Sequence, residues 1–166
     1  MFRFAAALSA AVYFVAGTAS ASWIYQGEKS AFGGSGTHIV LTGRSGYGFG
    51  FRCDKDGIKA VYLTPEKITN ADLLGKRLAG QLLIRVDGNE VHEEPAYVDS
   101  AADKLRLSAE FEPVLLKEIR SGKKKVAVAV KVGETVLHEA SFPTQGAKDA
   151  LSKFINGCDA AESLRG

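Results

Sequence analysis

Two cysteines, Cys53 and Cys158, stand behind an N-terminal leader, and that combination constrains the fold of this chain more than any other feature. Met1 to Arg3 make a short basic start, Ala5 to Ala16 an apolar stretch, and Ala19-Ser20-Ala21 a small-residue cleavage site, the three parts of a secretory signal. Cleavage between Ala21 and Ser22 is expected. In the oxidising space beyond, the two cysteines read as a disulfide rather than as reactive thiols. They do not form a Cys-x-x-Cys pair, and Arg52 is the one obvious cation beside either. Phe51 and Cys53 share a strand face while Phe154 and Cys158 share a helix face, so a bridge would pin a terminal helix over the core. Closing a loop of that order contributes about 4 to 5 kcal/mol in the chain-entropy model.

Removing 21 of 166 residues leaves 145, one domain over residues 22–166. The leader holds Arg3, so the mature chain has 20 Lys and Arg against 19 Asp and Glu, a net charge of +1. Such a balance gives no electrostatic case for nucleic acid or for an anionic membrane surface. The leader's apolar run is shorter than the roughly 20 residues of a spanning helix, and no second run follows. Because Ser22 and not a cysteine follows the cleavage site, no lipid anchor is indicated.

The mature chain reads mainly as strands. Trp23 to Gly27 suits a first strand, and Phe32 to Gly36 a flexible connection. His38 to Leu41 is a short β-branched run, and Tyr47, Phe49, Phe51 and Cys53 alternate with period two. The turn Asp54-Lys55-Asp56-Gly57 leads into Ile58 to Leu63, a hairpin by its turn residues. Pro65 to Leu74 reads as an irregular excursion with one helical turn. Gln81 to Val86, the turn Asp87-Gly88 and Glu90 to His92 give a second hairpin. Leu105, Leu107, Ala109 and Phe111 alternate with polar residues as a further strand.

Pro113 suits a helix start, with Val114, Leu115 and Ile119 on one side of a short helix ending near Gly122. Lys125 to Val132 and Thr135 to Phe142 form a last hairpin. Ala147, Ala150, Leu151, Phe154 and Cys158 recur at spacings of three and four, an amphipathic terminal helix. Without a βαβ rhythm, the expected fold is an antiparallel β-sandwich or rolled sheet with one short helix and a C-terminal helix.

No catalytic or cofactor motif survives inspection. His38, His92 and His138 lack the neighbours of a zinc site and read as surface histidines on strands. Asp54, Asp56 and Gly57 open like a calcium loop, but its twelfth position is Pro65 where a bidentate Glu is needed. Gly46, Gly48 and Gly50 lie within a strand, not at the strand-to-helix junction of a dinucleotide loop. They leave one strand face bare, for packing or for a ligand. Ser35 and Ser45 lack a nucleophile-elbow frame. Glu93-Glu94, beside Pro95, reads as a solvated loop rather than an acid pair across a cleft. Lys123-Lys124-Lys125 complements a helix end. Arg52, Arg85 and Asp87, charges bordering apolar strands, are the candidate binding residues.

The order of features has a family likeness. A signal peptide, an aromatic strand ending in Cys53, the hairpin to Val61-Tyr62-Leu63, Ile84-Arg85-Val86-Asp87-Gly88, a short Leu-rich helix, a strand pair and an amphipathic end at Cys158 follow one another. This resembles the type VI secretion-associated VasI/TagO-like exported proteins of Gram-negative bacteria, over roughly Tyr47 to Cys158. The chain departs from that pattern in lacking a tryptophan between Asp87 and the Leu-rich helix. The resemblance implies a periplasmic β-sandwich acting as a binding or accessory protein, with no enzymatic residues to carry over. The invasion-associated locus B type shares size and compartment but fits the cysteine placement less well.

The expected function is therefore non-enzymatic binding of another envelope component, in the periplasm or released from it, with no cofactor or metal. Inhibition of a host or competitor hydrolase such as lysozyme is the alternative, through a loop at Phe32 to Gly36 or Ser45 to Gly48. The lysozyme-inhibitor loop Ser-Gly-x-x-Tyr is absent, Ser45-Gly46-Tyr47 being two residues too tight. A hydrolase assembled only by the fold ranks last.

Overall fold

The computed structural model describes residues 22–28, 36–67, 80–101 and 104–165. The leader through Ala21, most of the Phe32 to Gly36 connection and the excursion beyond residue 67 lie outside these residues. Nine strands form one antiparallel sheet: β1 (Ile24–Glu28), β2 (Thr37–Arg44), β3 (Tyr47–Asp54), β4 (Gly57–Lys67), β5 (Gly80–Val86), β6 (Val91–Ala101), β7 (Lys104–Ala109), β8 (Lys125–Val132) and β9 (Thr135–Pro143). Their spatial order is β1-β2-β3-β4-β7-β6-β5-β8-β9. Two helices, α1 (Val114–Ser121) and α2 (Ala147–Gly157), and a terminal 3-10 turn (Asp159–Leu164) complete the chain. The expectation of an antiparallel β-sandwich or rolled sheet with a short and a C-terminal helix is met by one antiparallel sheet with both helices.

The roll originates in β6. Its first half, Val91 to Ala96, pairs with β5, and its second half, Ala96 to Ala101, pairs with β7. Strand β6 thus bends from one part of the sheet into the other, bringing β9 over β3 and β4. Phe142 of β9 stacks on Phe49 of β3 with ring centroids 6.2 Å apart. The ends are latched as well, since Trp23 donates its indole N–H to the Pro143 carbonyl at 2.9 Å and its backbone N–H to Gln145 at 3.3 Å.

Period-two alternation fixes which side chains fill this interior. Phe49, Phe51 and Cys53, Ala60 and Tyr62, Leu82 and Ile84, and Val126 and Val128 are all buried. Helix α2 lays Leu151, Phe154 and Ile155 on that core, and Phe51 meets Phe111 at 4.8 Å and Phe154 at 6.5 Å. Cys53 and Cys158 are disulfide-bonded, with Cα atoms 6.0 Å apart. The bridge ties β3 to the residue after α2. A Cβ on Gly157 would come within 2.6 Å of the Tyr25 hydroxyl and 2.7 Å of His38 Nδ1, so any larger residue there displaces that pair.

Three local readings are corrected. Glu93, Glu94 and Pro95 lie in β6, opposite Leu83, Leu82 and Gln81, not in a loop. Proline is tolerated because the β7 ladder begins only at Ala96, so the other side of Pro95 is open. In α1 the buried residues are Leu115, Leu116 and Ile119, while Val114 is 48% exposed at the edge of the stripe. The chain after Cys158 adds a 3-10 turn that buries Ala161 and Leu164, too short an element to show helical periodicity in sequence.

Candidate functional site

The outer face of the sheet carries an arrangement that the strand order creates. Following register partners from β1 inward gives Ile24 opposite Leu41, Leu41 opposite Gly50, and Gly50 opposite Val61. Val61 then faces Ser108, and Ser108 faces Tyr97. Directly opposed residues point to the same side of a sheet. These six therefore form one row across β1, β2, β3, β4, β7 and β6, roughly 24 Å long at the usual strand spacing. Ile24, Leu41 and Tyr97 are 49%, 36% and 40% exposed. They are three of the seven exposed large hydrophobic residues among the described ones, and three of the other four, Val132, Val136 and Leu137, lie on the β8–β9 hairpin.

The row is deepest where the glycines lie. A Cβ on Gly50 would run into the Val40 carbonyl oxygen and come within 2.7 Å of the Leu41 Cα, so β2 leans over this position and only glycine fits. At Gly48 an added Cβ would meet Leu63 at 3.5 Å, an ordinary contact. The result is a depression of about 250 Å³ bounded by Ile39, Leu41, Leu63 and Val61 over the two glycines. A second, of about 330 Å³, continues from it toward Tyr97 and Ser108. Both are bordered by Arg52, Val61 and Arg106.

Cations flank the apolar row on its two long sides. Arg52 lies between Ile39 and Lys59 in register, and Arg106 lies opposite Leu63. The Arg52 Nε is held by Asp54 at 3.1 Å, which fixes the guanidinium at the rim. Around the second depression Arg52, Lys59 and Arg106 stand with Asp54 and Glu110, and Asp99 is the register partner of Arg106.

Arg85 and Asp87 do not join Arg52. Arg85 lies on β5, four places from β3 in the sheet, beside Leu83, Val91 and Val136 at a smaller depression of about 170 Å³. Asp87 has an architectural place. Its carboxylate accepts the backbone N–H groups of Lys123 at 2.6 Å, Lys124 at 2.9 Å and Lys125 at 2.8 Å. Those hydrogen bonds, led by the one from Lys123, hold the Asp87 carboxyl below the ordinary carboxylate range. The lysine run thus supplies amides to a clasp between the β5 and β8 ends.

The histidines are dispersed. His38 Nδ1 lies 2.8 Å from the Tyr25 hydroxyl, His92 Nε2 is 3.4 Å from Glu118, and His138 Nε2 is 3.6 Å from Glu66. Among the described residues no three His, Cys, Asp or Glu side chains gather to hold a metal. No described helix is long and apolar enough to cross a membrane. Ser45 and Gly46, both at positive φ, make a two-residue hairpin turn, shorter than the protruding loop an inhibitor would insert.

Arg52 was legible from sequence as a charge on an apolar strand, whereas Lys59, Tyr97 and Arg106 were not. The available signal was β4, where Val61 and Leu63 are apolar on the face opposite Ala60 and Tyr62. A strand apolar on both faces marks a covered or binding outer surface. Its neighbours depend on the pairing of β4 with β7, which skips two strands in sequence.

No protein-family profile matches the sequence, and no curated protein does. Among solved structures, the crystal structure of invasion associated protein B from Bartonella henselae is similar to this chain. The TM-score is 0.53 at 16% identity, over 82% of this chain and 94% of that one. The likeness is one of fold.

Proposed function

We propose that this chain is an exported, non-enzymatic accessory protein of the Gram-negative envelope that binds another envelope component on the outer face of β1 to β4, β7 and β6. The observation that carries the reading is the outer row from Ile24 to Tyr97, with apolar Leu41 and Val61 beside the depression over Gly48 and with Arg52, Lys59 and Arg106 along its sides. Exposed apolar surface rimmed by charge is the ordinary mark of a recognition surface. Export is supported by the leader and by a buried disulfide, a cross-link that forms in oxidising compartments. The fold likeness to a protein named for invasion is in keeping with a secreted accessory role. The order of features that resembles VasI/TagO-like proteins supports periplasmic residence in this reading.

The test is a photo-crosslinking amino acid in place of Val61, compared with one in place of Lys117 on the exposed side of α1, in cells exporting the protein. An adduct, protein or lipid, that forms at residue 61 and is lost with Leu41→Asp is expected. Equal or absent adducts at the two positions would defeat the reading.

A further inference from the structure

The sheet ends on β1 at one side and on β9 at the other, and the two edges are built differently. An open strand edge is a template for another strand unless a bulge, a proline, a charge or a cover blunts it. The β9 edge is blunted. Its register with β8 shifts between Val128 and Val130, His138 gives its carbonyl to the Tyr62 hydroxyl, and Pro143, which has no N–H, gives its carbonyl to the Trp23 indole. β1 carries none of these devices. Its five residues, Ile24–Glu28, pair with β2 in unbroken register and include no proline, lysine or arginine.

The β2–β3 turn fixes which backbone groups of β1 point outward. Ser45 and Gly46, both at positive φ, make a two-residue turn, so Arg44 and Tyr47, which close it, exchange hydrogen bonds. Bonding residues alternate sides along a strand, so Thr42, Val40 and His38 also bond to β3, and Leu41, Ile39 and Thr37 bond to Ile24, Gln26 and Glu28 of β1. Tyr25 and Gly27 then turn their N–H and C=O groups to the open side. Trp23, two residues before Tyr25, agrees with this direction, since its N–H goes to Gln145 and not to β2. Among the described residues no strand or loop pairs with these groups of Tyr25 and Gly27. The strand is also held in its extended form, because the Tyr25 hydroxyl meets His38 Nδ1 on β2 at 2.8 Å.

We infer that this edge receives an extended strand of a protein partner, which joins the sheet beside β1 through main-chain hydrogen bonds to Tyr25 and Gly27 and lays an apolar side chain against exposed Ile24. The groups themselves select the occupant. Two donors and two acceptors on residues roughly 6.8 Å apart match the backbone of another strand, whereas a helix bonds its own backbone internally. A second copy of the chain fits less well, since β1 against β1 joins five residues a side where a stable interface uses about 20 to 30. The inference rests on the reading that the outer face begun by Ile24 meets an envelope component, and it adds the conformation that component presents.

The experiment is amide exchange in the purified, oxidised protein, read residue by residue by NMR. The probe is an alternately N-methylated peptide of valine and threonine, which keeps one pairing edge and cannot stack on itself. In the free protein the Tyr25 and Gly27 amides should exchange fast and those of Ile24 and Gln26 slowly. At millimolar peptide the Tyr25 and Gly27 amides are expected to slow about tenfold or more, and the same peptide methylated on every nitrogen should leave them unchanged. Slow exchange of both amides in the free monomer would overturn the inference, as would equal protection by the fully methylated peptide or none by the alternately methylated one. So would slowing that grows with protein concentration alone, because the edge then belongs to a second copy. An adduct at residue 61 without protection at Tyr25 and Gly27 would end this inference and leave the binding-surface reading in place.

Discussion

The phenol of Tyr62, on β4, donates its hydrogen bond to the backbone carbonyl of His138, on β9, five places away in the sheet. No neighbouring-strand contact can do this, so the bond spans the interior of the roll. It lands where β9 departs from regular pairing. The β8–β9 register shifts between Val128 and Val130, and His138 takes φ 52°, a left-handed conformation uncommon for a side chain of its size.

Tyr62→Phe should therefore cost about 1 to 3 kcal/mol, the penalty for stranding a carbonyl inside a closed structure. Urea midpoints of the two proteins at neutral pH give the value. Burial, helped by the neighbouring Tyr47, raises the Tyr62 pKa well above that of a free phenol. A raised folded pKa means stability that is present below the unfolded value of about 10 and is lost as pH rises beyond it. The parent protein should weaken above that pH more steeply than Tyr62→Phe, and parallel slopes would reject the assignment.

For the disulfide, the expected result is a periplasmic mass beginning at Ser22 and two hydrogens lighter than the reduced form. Replacing Cys53 and Cys158 together by alanine should lower stability by about 2 to 5 kcal/mol. A full-length mass, or one with free thiols, would contradict both the export reading and the bridge.

Asp87 predicts acid sensitivity. Its carboxyl is held below the ordinary range, so its contribution is present above about pH 4, where an unfolded Asp ionises, and is lost as pH falls through the lower folded value. Because the group is open to solvent, the loss in Asp87→Asn should be near 1 kcal/mol at neutral pH. The gap between the two proteins in urea should close below pH 4, and a constant gap would argue against the clasp.

The two outer glycines of β3 should respond oppositely to alanine. Gly50→Ala forces β2 away and is expected to cost about 1 to 3 kcal/mol. Gly48→Ala meets only ordinary contacts and replaces a residue that disfavours strands, so it should be neutral or add up to about 1 kcal/mol. Thermal unfolding of the pair decides it, with similar losses at both positions counting against the geometry.

Alternation made most of the strands readable, because Phe49, Phe51 and Cys53 or Val126, Val128 and Val130 can share a face only in an extended chain. Two things escaped it. The length of β6 was hidden by Pro95 and two glutamates, which look like a loop until one sees that each half of the strand pairs on a different side. The outer row was hidden because its two halves meet only through Val61 and Ser108, in the pairing of β4 with β7, segments distant in sequence. Arg52 announced itself locally; Lys59 and Arg106 gained meaning from their neighbours.

The bridge between Cys53 and Cys158, 105 positions apart, also sets an order of events. With two cysteines only one intramolecular pairing exists, so no reshuffling within the chain is needed. If the chain is exported as proposed, the first thiol waits, unprotected, until the end of the chain has crossed into the oxidising space. A chain cut short anywhere before α2 would arrive with that thiol still reactive and could be marked by it as incomplete.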